Sequence, residues 1–69
     1  MIIYGNNAIF NIAKILKNLI SITIINVVNI KICYEFDSVF YEEVLTFNSK
    51  EVTENVFDRI SKYLQSTTF

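Results

Sequence analysis

The sequence predicts an α+β domain: a small antiparallel sheet of three to four strands with two helices, in the order β-α-β-β-(β)-α. Three observations carry that prediction. Residues 20–28 are dense in β-branched side chains (Ile20, Ile22, Thr23, Ile24, Ile25, Val27 and Val28), which favour strand over helix. The segments on either side of Asp37-Ser38 fold onto one another with an apolar set on one face. Val52, Val56, Ile60, Tyr63 and Leu64 recur at helical spacing behind a capping signal.

Ile2 to Tyr4 is a short apolar run ended by Gly5-Asn6-Asn7, residues that tolerate left-handed backbone, and it reads as a first strand and a turn. Asn6 or Asn7 then caps a first helix over residues 7–18. Ile9, Ile12, Ala13, Leu16 and Ile20 recur at spacings of three and four, Asn11, Lys14, Lys17 and Asn18 lie off that stripe, and Asn18 supplies a left-handed stop. Beyond it the even positions stay largely apolar as far as Phe36. An unbroken strand of that length would span about 55 Å, against an expected radius of gyration of about 11 Å for such a chain. The strand must therefore bulge or turn, and Asn26–Asn29 is the place for it; the residues do not choose between the two.

With Asp37-Ser38 as a two-residue turn, Phe36 faces Val39, Tyr34 faces Tyr41, Ile32 faces Glu43, Ile30 faces Leu45 and Val28 faces Phe47. Only Glu43 in that set is neither apolar nor aromatic, so this is the predicted core face. The opposite face pairs Glu35 with Phe40, Cys33 with Glu42, Lys31 with Val44 and Asn29 with Thr46. A slip of one residue scatters the apolar set, so the pattern specifies the register although the turn lacks glycine. The second helix opens on Asn48 as N-cap with Glu51 three residues on, as in a capping box, and Phe47 and Val52 form a hydrophobic staple. Asp58 and Lys62 are an i,i+4 pair on its wet side, and the tail Ser66–Phe69 is expected to fray.

Sixty-nine residues make one domain, residues 1–69. A chain this short buries only about 60% of its unfolded surface. One cysteine forms no internal disulfide, and without histidine it builds no ordinary zinc site. The remaining sources of stability are an apolar core and a partner. Apolar residues are 52% of the chain and its mean hydropathy is +0.38, more than a small interior hides, so part of this surface is expected to face a second subunit or a target. A homodimer is expected, formed by sheet stacking or edge pairing, with Cys33, Phe40 and Val44 on the face opposite the core as its interface.

The chain carries little chemical equipment. It has no histidine, no proline, one glycine (Gly5) and one cysteine (Cys33). Histidine is the usual general base and the commonest metal ligand, and phosphate-cradling loops need several glycines. Glu35, Glu42 and Glu43 resemble an acid–base or metal cluster in composition, but such a cluster needs a cleft that this chain is too short to build. Cys33 has Glu42, not a base or a cation, as its cross-strand neighbour, and reads as a packing residue. No enzyme activity, cofactor or metal is expected. The most apolar stretch, Asn18 to Ile30, is thirteen residues long, against the roughly 20 of a spanning helix. The opening Met-Ile-Ile-Tyr lacks a basic n-region. A cytoplasmic protein without membrane association is the expectation.

Charge is uneven although the net is −1: all seven carboxylates lie between Glu35 and Asp58, where Lys50 is the only cation. The predicted hairpin tip gathers Glu35, Asp37, Glu42 and Glu43 beside Phe40 and Tyr41. An acidic, aromatic-bearing tip suits a basic surface, such as the nucleic-acid channel of another protein. Lys14, Lys17 and Lys31 make a thin footprint for direct nucleic-acid binding at an isoelectric point near 5.1.

Ile, Asn, Phe, Lys, Tyr and Met supply 36 of the 69 residues, whereas Gly, Ala, Arg and Pro supply 4, a usage that points to an AT-rich genome. In length, composition and strand–helix–hairpin–helix plan the chain resembles small phage-encoded inhibitors, anti-CRISPR proteins among them. That resemblance implies a non-enzymatic inhibitor of a host defence protein, acting in the host cytoplasm, and carries over no site residue. A small regulatory or antitoxin-like homodimeric subunit is the alternative expectation.

Overall fold

The computed structural model describes residues 1–67. It is an α+β fold of five antiparallel strands in two sheets, one 3-10 helix and one long α-helix. The strands are β1 (Ile2–Tyr4), β2 (Ile9–Asn11), β3 (Leu19–Ile25), β4 (Asn29–Phe36) and β5 (Val39–Thr46); the helix α1 is Lys50–Thr67. β1 and β2 form a small hairpin, and β3-β4-β5 form a separate three-stranded meander.

The first helix of the sequence reading is replaced. Residues 9–11 are strand β2, paired Ile2↔Asn11, Ile3↔Phe10 and Tyr4↔Ile9, and only Ile12–Asn18 is helical, as a 3-10 helix. The apolar spacing of three accounts for it. With three residues per turn, Ile12 and Ile15 share one face; Ile12 is buried and Ile15 half-buried, while Lys14 and Lys17 are exposed. Ile9 and Ile20, assigned to a helical stripe, are exposed. The cap is Asn11, whose Oδ1 accepts from the Ala13 N–H at 3.0 Å. Asn18 is no left-handed stop, because it runs directly into the extended backbone of Leu19.

Asn6 and Asn7 have a different task. The Asn7 side chain accepts from the Thr46 N–H at 2.9 Å and donates to the Val44 carbonyl at 2.8 Å, imitating a neighbouring strand along the edge of β5. The Asn6 N–H donates to the Thr46 carbonyl at 2.7 Å. The loop of the small hairpin is thereby clamped to the large sheet. Gly5 stands in that loop because a Cβ there would come within 3.2 Å of Leu45 Cβ and Asn7 Oδ1 and 3.3 Å of the Ala8 carbonyl.

Asn26–Asn29 is a tight turn. Ile25 pairs with Asn29 and the three residues between them close the loop, with Asn26 at φ 50° and Val27 at φ 70°. The bend of β3 lies elsewhere, at a bulge between Leu19 and Ser21. The β4–β5 register is the predicted one from Phe36↔Val39 to Asn29↔Thr46. Phe47 N–H donates to the Val28 carbonyl at 2.8 Å, extending it to the Val28–Phe47 pair.

The core is Ile3, Ile12, Ile30, Ile32, Leu45, Phe47 and Ile60, with α1 packed on β3 and β4. Ser49, not Asn48, caps α1: its Oγ accepts from the Val52 N–H at 3.2 Å and its carbonyl from the Thr53 N–H at 3.1 Å. Asn48 instead accepts from Asn6 Nδ2 through its Oδ1 at 2.6 Å. The buried stripe shifts accordingly to Thr53, Val56, Phe57, Ile60, Tyr63 and Leu64, and Val52 is exposed, so no staple to Phe47 forms. Thr53 is buried without penalty because its hydroxyl donates to the Ser49 carbonyl at 2.8 Å. Asp58 and Lys62 are paired at 3.0 Å as expected. Ser66 and Thr67 are helical, contrary to the frayed tail; the last two residues of that expectation lie outside the described ones. Among the described residues no helix is long and apolar enough to cross a membrane.

Candidate functional site

The β4–β5 hairpin extends beyond what the rest of the chain covers. Its two eight-residue strands each span about 26 Å, against a radius of gyration of 11.6 Å. Near the base, Ile30, Ile32, Leu45 and Phe47 are buried. Toward the turn the predicted core face becomes surface: Phe36 is 54%, Val39 50% and Tyr41 42% exposed, and Phe40 on the other face is 72% exposed. Asp37 and Ser38 close the turn with φ of 51° and 65°, the positive pair of a type I′ turn, whose twist matches that of the strands.

An aromatic column connects this tip to the body. Tyr34 stacks on its cross-strand partner Tyr41, with ring centroids 5.3 Å apart and planes 16° apart, and meets Phe10 of β2 at 6.0 Å. Burial pushes the Tyr34 hydroxyl above its ordinary pKa, and the nearby Glu43 and Tyr41 add to the rise.

Strand alternation divides the four carboxylates. Glu35 and Glu42 lie on the outer face, opposite Phe40 and Cys33; Glu43 lies on the inner face, opposite Ile32, and is half-buried; Asp37 is in the turn. Glu42 is partly neutralised by Lys31, whose Nζ is 3.3 Å from its Oε1, and the Cys33 Sγ lies 4.0 Å from the same oxygen. Glu35 and Asp37 are thus the acidic residues that share the exposed tip with Phe36, Val39, Phe40 and Tyr41. Cys33 and Val44 lie on the outer face with Phe40, Cys33 half-buried and Val44 38% exposed. Among the described residues no three His, Cys, Asp or Glu side chains are placed to hold a metal ion. A recess of about 120 Å³ between β1 and α1, lined by Tyr4, Val56 and Arg59 among others, is smaller than an ordinary small-molecule pocket.

No protein-family model matches this chain, and no curated protein or solved structure matches it either.

Phe36 and Val39 are the site residues that the sequence reading placed only in the core, whereas it counted Tyr41 both on the core face and at the tip. Their alternation is that of buried residues, and pattern alone does not tell where along a strand the covering layer ends. Chain length was the available signal, since so small a domain cannot cover both strands of a long hairpin.

Proposed function

We propose that this protein is a non-enzymatic protein-binding module that docks through the tip of the β4–β5 hairpin, as an inhibitor of a partner protein. The observation that supports the reading most is the exposure of Phe36, Val39, Phe40 and Tyr41 at a type I′ turn, beside Glu35 and Asp37. Large aromatic residues in a desolvated centre with a polar rim are the pattern of binding hot spots. The carboxylates on the rim select a basic counterpart, such as the surface with which a nucleic-acid-handling protein holds its substrate. Occluding that surface is an inhibitory mechanism that needs no catalytic group. It agrees with the resemblance to small phage-encoded inhibitors of host defence proteins and with action in the cytoplasm.

The test is capture of binding proteins from a low-GC bacterial lysate by three tagged forms: wild type, Phe40→Ala, and Glu35→Lys with Asp37→Lys. The expected result is one stoichiometric partner, retained by wild type, washed off as salt rises, and lost from both variants while their circular dichroism is unchanged. Equal capture by all three forms would reject the tip as the contact.

A further inference from the structure

The three-stranded sheet has two edges, and they are treated differently. Along β5 the Thr46 N–H bonds Asn7, which places the even residues of β5 outward and the odd ones toward β4. The Phe47–Val28 bond agrees, so the even residues of β4 point to β5 and the odd ones to β3. In β3, Ser21, Thr23 and Ile25 therefore bond Cys33, Lys31 and Asn29, while the N–H and C=O groups of Ile22 and Ile24 point away from the sheet. Asn6 and Asn7 satisfy part of the β5 edge. No described residue bonds the outward groups of Ile22 and Ile24.

Natural edge strands are blunted by charge, proline or a cover. The β3 edge has no charge and no proline: from Asn18 to Ile30 there is no charged residue. An edge without charge suits a second copy of this chain. A two-fold axis places an edge strand against its own copy, with only the residue on the axis facing itself, so a self-pairing edge must lack concentrated charge of one sign. At the β5 edge such an axis would bring Glu42 against Glu42. At the β3 edge it brings only Ile, Ser and Thr together.

We infer that β3 pairs antiparallel with β3 of a second copy of this chain, joining two sheets into one of six strands. The register centres on Thr23, because it matches both outward residues, Ile22 with Ile24 of the other copy and Ile24 with Ile22, and leaves out the bulge at Ile20. Thr23, exposed on the outer face, then faces its own copy as a non-hydrogen-bonded pair, the closest kind of cross-strand contact. This interface is separate from the hairpin tip. The two tips stand at opposite ends of the joined sheet, each free to bind.

Sedimentation equilibrium across the micromolar range tests it with wild type, Thr23→Lys and Thr23→Glu. Wild type should sediment as a dimer. Each variant alone should be a folded monomer, because like charges face each other at the axis, and a mixture of the two should recover the dimer. In a Cys33→Ser background, Thr23→Cys should form an intermolecular disulfide on oxidation, whereas Val44→Cys should not. A monomeric wild type, or a dimer that survives in Thr23→Lys, overturns the inference.

Discussion

Val27 has a backbone that its side chain opposes. It sits at φ 70°, and a β-branched residue is the least suited to that region. Neighbouring Asn26, at φ 50°, is well suited to it. Val27 is 56% exposed, so little packing is lost by replacing it. Val27→Gly should stabilise the fold by about 1 kcal/mol, read as an increase of roughly 4–8 °C in melting temperature. An unchanged or lower melting temperature would mean that the turn relaxes away from this conformation. Ser38 shows the same geometry at less cost, since a small polar side chain at φ 65° is easier to accommodate.

Among the elements, α1 depends most on its first turn. The sequence carries Asn48 and Ser49 in succession, and both are good caps. The Asn6–Asn48 bond occupies the Asn48 side chain, and the cap moves to Ser49. Shifting the cap by one residue rotates the buried face from Val52 to Thr53. Ser49→Ala should lower stability by about 1 kcal/mol in chemical denaturation, with an unchanged m-value. Asn48→Ala should cost less, because it removes only an exposed contact between two amides. The reverse order of the two effects would restore Asn48 as the cap.

Over the whole molecule, Asn7 is one of the joints between the small hairpin and the large sheet. Its amide makes a donor and an acceptor bond to β5, and both are lost in Asn7→Ala. At about 1 kcal/mol for each bond, the variant should be clearly destabilised although Asn7 itself is exposed. Asn7→Asp keeps the acceptor for Thr46 but places a carboxylate against the Val44 carbonyl, and should not rescue it. Hydrogen exchange at Thr46 is the local measure: faster exchange in Asn7→Ala is expected, and unchanged protection there would show that the clamp is dispensable. The clamp also leaves β3 as the unblunted edge, which is the basis of the inferred dimer.

The β4–β5 hairpin was legible residue by residue, register included, because alternation with period two makes a one-residue slip bury charge and Asp37-Ser38 fixes the turn. The start of the second helix was legible to within one residue, its end was not, and the class α+β followed from hairpin and helix together. The tip carboxylates were legible as a group in the chain, and the predicted register already set Glu43 on the face opposite Glu35 and Glu42. Residues 7–18 were not legible as strand and 3-10 helix. The spacing of three between Ile12 and Ile15 fits a 3-10 turn as well as an α-helix, and pairing with Ile2–Tyr4 is a tertiary preference. The sequence by itself determined the elements whose periodicity is long enough to exclude alternatives. The tertiary structure alone decided where the core ends along the hairpin, which asparagine caps and which one clamps, and which edge stays open. Each of these depends on what another segment covers, and coverage is not encoded in local periodicity.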